Sequence, residues 1–167
     1  MRHRQLGTAV KARGAAAHIT GIDPDRQVLD RARAKTQQAA IDIEFVQGFA
    51  RDAAVIAKDG ATKAVSSLVF HQVPLDEKRD GLAAMYASLA VGGELHVADY
   101  GLQRTPLMRA LFKQVQQLDG FENTTPNARG VLLELIREVG FVDVEERQVI
   151  PTPTGSISLY FGRKSSK

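Results

Sequence analysis

The chain has no cysteine and no tryptophan among its 167 residues, and only 6% of them are aromatic. Without thiols there is no disulfide, no thiolate metal site and no cysteine nucleophile, and a cytoplasmic location is expected on that composition. No apolar run approaches the ~20 residues that a membrane span requires. The opening residues Met1-Arg2-His3-Arg4-Gln5-Leu6 carry charge, but no apolar stretch comes after them, which excludes a secretory signal of the usual form. Charge of one sign is also scarce: 22 basic against 19 acidic residues leave a net +3. The basic residues alternate with acids, and the one cluster, Arg163, Lys164 and Lys167, is a terminal tail. Phosphate backbones are held by a contiguous basic face, so nucleic acid is not an expected partner. There are no repeats and no low-complexity tracts, and no metal-ligand spacing is present, so no metal is expected.

What is present is an ordinary globular composition, with 44% hydrophobic and 25% charged residues. That length and content suit a single domain over 1–167 with its own core. The hydrophobic pattern predicts a short helix over 7–15, a strand over 17–22 and an amphipathic helix over 25–40. A strand over 41–48 comes next, ending at Gly48, then a short helix over 52–58 closed by Asp59-Gly60. After these are a nearly continuous apolar strand over 64–70, of the kind covered on both faces, and a helix over 76–89 ended by Gly92-Gly93. A strand over 94–99 completes this part. Strands alternating with helices imply parallel crossovers. The last third departs from that rhythm: a helix over 107–118 with Met108, Leu111, Phe112, Val115 and Leu118 on one side, a polar loop over 119–125, and a helix over 127–139 ending at Gly140. Strands over 141–149 and 156–162, separated by Pro151 and Pro153, predict an antiparallel hairpin.

The stretch around which the chain is organised is Ile19-Thr20-Gly21-Ile22-Asp23-Pro24-Asp25, a strand that ends in an acid and passes directly into a helix. Two readings of Asp23 are open. It caps the helix, with Pro24 in the first turn, or it stands at the carboxyl edge of an open α/β sheet, where an acidic side chain accepts hydrogen bonds from the ribose hydroxyls of an adenosine cofactor.

Five segments carry a resemblance to a known family. They are residues 19–25; Ile43-Glu44-Phe45-Val46-Gln47-Gly48-Phe49-Ala50; Ser66-Ser67-Leu68-Val69-Phe70-His71; Val91-Gly92-Gly93-Glu94-Leu95-His96-Val97-Ala98-Asp99; and Leu135-Ile136-Arg137-Glu138-Val139-Gly140-Phe141. In this order and spacing the chain resembles class I S-adenosylmethionine-dependent methyltransferases, in the small-molecule branch that includes ubiquinone and menaquinone biosynthesis enzymes. The resemblance implies an α/β, Rossmann-like, mostly parallel sheet with a C-terminal antiparallel hairpin. It implies S-adenosylmethionine as cofactor, with Asp23 on the ribose, Pro24 beside the adenine, Gly48, Phe49 and Ala50 along the adenine edge, and Ser66 and Ser67 near the methionine part.

The departures from the family pattern are equally informative. Its first strand and the Gly-x-Gly-x-Gly loop after it are not recognisable, Gly7-Thr8 being at most a remnant, so an N-terminally truncated sheet is expected. The strands bearing Asp23 and Ser66 are then expected to lack a shared neighbour, a gap that favours a homodimer or aggregation through an open strand edge. Phe49 stands where many relatives carry an acid for the adenine amino group, and Thr62-Lys63 where an acid usually opens the next strand. Methyl transfer is an in-line displacement, in which positioning supplies much of the acceleration, and a base is needed only where the acceptor must lose a proton. His71 and Tyr100, in loops at the carboxyl ends of strands, are the candidate catalytic residues, His71 having a structural reading as well. Asp99 either bounds the acceptor or caps the segment after it, and His96 is expected to be packed. The apolar helix 107–118 with Phe121 reads as a hydrophobic lid or as core. Two functions compete: methyl transfer to a small acceptor of hydrophobic character, and a non-catalytic or truncated methyltransferase fold without a complete cofactor site.

Overall fold

The computed structural model describes residues 17–57 and 60–165; the expected helix over 7–15 lies outside them. The elements keep the expected alternation. They run β1 (Thr20–Asp23), α1 (Arg26–Gln38), β2 (Glu44–Gln47), a 3-10 turn (Ala50–Asp52) leading into α2 (Ala53–Ile56), and β3 (Ala61–Ser67). A second 3-10 turn (Phe70–Gln72) precedes α3 (Leu75–Ser88) and β4 (Leu89–Tyr100). Then come α4 (Pro106–Asp119), α5 (Phe121–Ala128), α6 (Val131–Glu138), β5 (Phe141–Thr152) and β6 (Gly155–Lys164).

The strands form two sheets among the described residues. β1 and β2 pair in parallel with Asp23 opposite Gln47. The second sheet runs β3-β4-β6-β5, parallel between β3 and β4 and antiparallel through the C-terminal hairpin. Among the described residues no ladder joins β1 to β3, and their carboxyl ends are presented by the two sheets separately.

The core lies between one face of the second sheet and helices α3 and α6. Leu95 and Val97 of β4 and Tyr160 of β6 meet Leu82 and Met85 of α3 and Leu132, Leu135 and Ile136 of α6. Spacings of three and four put those helical residues on one stripe. Each such aliphatic side chain, when fully buried, contributes roughly 1.5–3 kcal/mol. Gly81 lets α3 approach the two 3-10 turns: a Cβ there would sit 3.1 Å from Ala50 Cβ and 3.2 Å from Phe70 Cε1. That contact ties the two turns, which carry Phe49 and His71 at their borders, to one helix.

Four sequence expectations are corrected. Gly92 and Gly93 do not end a helix. α3 stops at Ser88, and the glycines lie inside β4, in an excursion between the pairs Ala61–Leu89 and Lys63–Glu94. Gly92 takes φ +77°, and a Cβ at Gly93 would meet Ala90 O at 2.8 Å. The polar loop 119–125 is mostly α5, because Gly120 at φ +86° breaks the chain after α4 and Thr124 and Asn127 turn inward as buried polar residues. The helix over 127–139 is split at Gly130, φ +88°, so that only α6 belongs to the core. His96 is only partly packed: its ring meets Phe161 edge-on at 5.5 Å, while its side chain stays 38% exposed beside Glu94, which also pairs with Lys63 across the β3–β4 register.

Candidate functional site

The turn from β1 into α1 separates two roles that the sequence left merged. Asp25, not Asp23, is the N-cap of α1, accepting from Gln27 N at 2.7 Å. Asp23 accepts from Asp25 N through Oδ1 at 2.8 Å, and among the described residues its Oδ2 has no hydrogen-bond partner. The turn is fastened to the end of β2 by Gly48 N donating to Asp23 O at 3.2 Å and Gln47 Nε2 donating to Pro24 O at 3.1 Å. Asp23 is half-buried at the carboxyl edge of its strand. A carboxylate oxygen in that position accepts from a vicinal diol without first giving up a protein partner.

The same edge gathers four of the other expected residues. Pro24 is exposed and Gly48 and Ala50 are half-buried. Phe49 leaves β2 with its ring 49% exposed and the guanidinium of Arg51 lying over it, 4.5 Å from the centroid. Asp52 holds this loop from below by accepting from Phe49 N at 2.8 Å. Ser66 and Ser67 stand apart on β3. Successive strand residues point to opposite faces, so Ser66, opposite Val97, lies on the core side while Ser67 is exposed on the other. The two side chains therefore leave β3 on opposite faces.

Beyond β3 the chain turns sharply. Leu68 adopts φ +57°, an uncommon conformation for a non-glycine residue and one that concentrates at sites whose surroundings over-determine it. The reason is visible in Asp99. Fully buried at the end of β4, it accepts through Oδ2 from Val69 N (3.0 Å) and Phe70 N (2.7 Å), and through Oδ1 from Tyr100 N (2.8 Å). Its Oδ1 also lies 2.7 Å from His71 Nδ1. Asp99 thus knots the loop after β3 to the end of β4 and has no oxygen left for an acceptor molecule. His71 is buried with it, its Nε2 3.4 Å from Asp119 Oδ2 and its ring edge-on to Tyr100 at 4.9 Å. The Tyr100 hydroxyl is bonded to Thr154 Oγ1 at 2.7 Å, in the hairpin turn between β5 and β6.

Three residues that sequence reasoning passed over hold α5 above these loops. Asn123 Nδ2 donates to Gln72 O at 3.1 Å, and Asn127 Nδ2 to Tyr100 O at 3.0 Å. Lys78, fully buried on α3, donates to Asn123 O at 2.9 Å and to Val73 O. The Lys78 signal was present: it precedes Leu82 and Met85 by four and seven positions, on the apolar stripe, where a lysine is seldom found unless it is paired. Asp119 and the two asparagines had no comparable sequence signal.

Burial pushes the Lys78 ammonium down to about 8, against the opposing pull of the Asp99 charge. Between that value and the ordinary lysine range the unfolded chain binds more protons than the folded one, so this group adds stability as pH rises from about 8 to 10.5. The melting temperature of the wild type relative to Lys78→Met is expected to climb over that interval in parallel thermal scans. A difference that stays flat from pH 8 to 10.5 contradicts a buried ammonium at this position.

Residues 5–93 match the profile of the methyltransferase domain. No curated protein sequence matches the chain. Among solved structures, an O-methyltransferase family protein from Burkholderia thailandensis superposes with a TM-score of 0.72 at 19% identity, over 95% of this chain and 47% of that one. A SAM-dependent methyltransferase from Methanosarcina mazei gives 0.69 at 16% identity, over 95% and 87%. Human N-acetylserotonin methyltransferase in complex with SAM gives 0.62 at 19% identity, over 96% and 44%. The chain spans about half the length of the Burkholderia and human proteins, and at these identities the likeness shows a shared Rossmann-like fold. Among the described residues no helix is long and apolar enough to cross a membrane.

Proposed function

The chain belongs to the methyltransferase-domain family, and from that premise we propose that it transfers a methyl group from S-adenosylmethionine to a small acceptor of hydrophobic character, as in the quinone-biosynthesis branch it resembles. The observation that carries this reading is the division of labour between Asp23 and Asp25. Because Asp25 caps α1, the Asp23 carboxylate at the edge of β1 is left with an oxygen that has no partner among the described residues, which fits a ribose diol. Pro24, Gly48, Phe49 and Ala50 border the place where the attached base would lie, and Ser66 or Ser67, on β3, would face the amino-acid end.

When bound, the cofactor supplies an electrophilic methyl group on a sulfonium. The chain's own residues bind, orient and screen. Asp99 holds the loop of His71 against the end of β4, so that the acceptor side keeps one geometry. His71 is a positioning residue rather than a freely accessible base, since Nδ1 is committed to Asp99 and Nε2 looks toward Asp119. Tyr100, half-buried and tied to Thr154, forms a wall of the acceptor space. The hydrophobic character of the acceptor rests on the resemblance to the quinone-biosynthesis branch.

A second reading, a non-catalytic methyltransferase fold, is favoured by the separate sheets of β1 and β3. Titration calorimetry with S-adenosylhomocysteine decides between them. Saturable heat in the micromolar range is the expected result; no heat with millimolar ligand leaves only the non-catalytic reading.

A further inference from the structure

Helix α4 carries more apolar surface than the fold uses. Phe112 and Val115 are buried, and Leu111 is half-buried beside them. Leu107, Ala110, Gln114 and Leu118, at spacings of three and four, form a second stripe along the exposed side. Leu107 is 62% exposed and Leu118 85%. The stripe continues past Gly120 to Phe121, which is open as well. A lone exposed leucine is ordinary, but apolar side chains aligned on one helix edge and continued by an aromatic ring mark a contact surface.

The charges of this insert divide by sign. The charged residues exposed on α4 are both basic, Arg109 and Lys113. Beside the stripe, α5 and α6 border a shallow groove of about 530 Å³. Phe121, Pro126 and Val131 give it an apolar lining, and Glu122, Glu134 and Arg129 leave it one net negative charge, two acids against one base. Among the described residues Lys113, Glu122 and Glu134 make no ion pair within the chain. One insert thus presents an apolar helix with a basic flank and, next to it, an apolar groove of acidic balance.

A surface that carries its own complement suits a twofold contact between identical chains, in which residue i of one copy meets j of the other while j meets i. We propose that α4–α6 is a self-association surface: the outer stripe of α4 lies in the α5–α6 groove of a second copy, and the reverse contact forms at the same time. Phe121, shared by stripe and groove, stands nearest the twofold axis. An anionic lipid surface fits less well, since it attracts the flank of α4 but repels Glu122 and Glu134 beside it. This contact is separate from the strand edges and does not depend on the cofactor reading.

Sedimentation equilibrium of the full chain across the micromolar range tests the proposal. The wild type is expected to pass from monomer to dimer. Leu118→Glu should weaken the dimer by about a hundredfold or more, because the change is made twice across a twofold axis. Lys113→Glu in one variant, and Glu122→Lys with Glu134→Lys in another, should each weaken self-association by roughly tenfold, as two exposed pairs at about threefold each. Mixed in equal amounts, those two variants should associate with each other at close to the wild-type affinity, because each helix then meets a groove of opposite charge. All four substituted positions are exposed, so the variants are expected to melt with the wild type, which circular dichroism checks. A dimer that Leu118→Glu leaves intact, or charge variants that pair no better mixed than apart, overturns the proposal and puts the contact elsewhere. A wild type that stays monomeric overturns it too, and if that monomer cosediments with phosphatidylglycerol vesicles and Leu118→Glu abolishes this, the stripe faces lipid instead.

Discussion

Asp23→Ala is expected to weaken S-adenosylhomocysteine binding by about a hundredfold or more while shifting thermal stability very little. The two effects separate because the two neighbouring acids do different things. The ribose contribution of Asp23 is a pair of hydrogen bonds to an ionised acceptor, each worth roughly 1.5–3 kcal/mol, and about 1.4 kcal/mol corresponds to tenfold in affinity. Its structural contribution is one bond from Asp25 N at an exposed turn, worth about 1 kcal/mol at most. Asp25 remains to cap α1, so the helix should not fray. Asp23→Asn, which keeps one acceptor oxygen and loses the charge, is expected to fall between, near tenfold. Calorimetry gives the affinities and a thermal scan the stability. If Asp23→Ala binds like the wild type, the ribose assignment is wrong. If it binds nothing because it has melted, the cap assignment is wrong instead.

The largest effect on stability should come from Asp99→Ala, a loss of about 4 kcal/mol in urea denaturation. Three main-chain amides and the imidazole of His71 point at this one fully buried carboxylate. Each buried donor stripped of its partner costs roughly 1–3 kcal/mol, offset in part by relief of burying the charge itself. Asp99→Asn keeps the shape but turns an amide N–H toward at least one of these donors, and should lose about half as much. The strained turn at Leu68 should relax in both variants, because the bonds that over-determine it are those to Asp99. A loss below 1 kcal/mol in Asp99→Ala would mean that water satisfies the loop after β3 and that Asp99 does not organise it. His71→Ala offers a comparison: it removes one of the four donors and leaves the main-chain bonds intact, so a smaller loss is expected.

Of the edge proposed for the cofactor, the backbone framework was legible in the sequence. A strand ending in an acid, the short apolar run into Gly48 and Phe49, and the alternation of strands and helices are all local signals, each confined to a few consecutive residues. They located Asp23, Pro24, Gly48, Phe49 and Ala50 at one end of two adjacent strands. The acceptor side was read less well, for a specific reason. His71, Asp99 and Asp119 lie on three different elements, and what each side chain does depends on which donors arrive from the other two. Asp99 looked equally like a cap or a wall until Val69 N, Phe70 N and His71 were seen to converge on it. The segment 119–125 looked like a loop because its residues are polar. It is helical because the Thr124 hydroxyl bonds back to Gly120 O and the Asn127 amide N–H finds Tyr100 O, so these two buried donors are satisfied rather than kept in solvent.

By itself, then, the sequence determined the alternation of strands and helices up to β4, the C-terminal hairpin and the position of the acid at the edge of the first described strand, because periodicity and turn chemistry act over a few residues. Only the tertiary structure decided that Asp25 caps α1 while Asp23 keeps a carboxylate oxygen without a partner among the described residues, that Asp99 binds the loop of His71, and that Lys78 is buried beneath α5. Each of those outcomes turns on which hydrogen-bond donors and acceptors meet across the fold, and hydrogen-bond geometry over that distance is not encoded in any single stretch of chain.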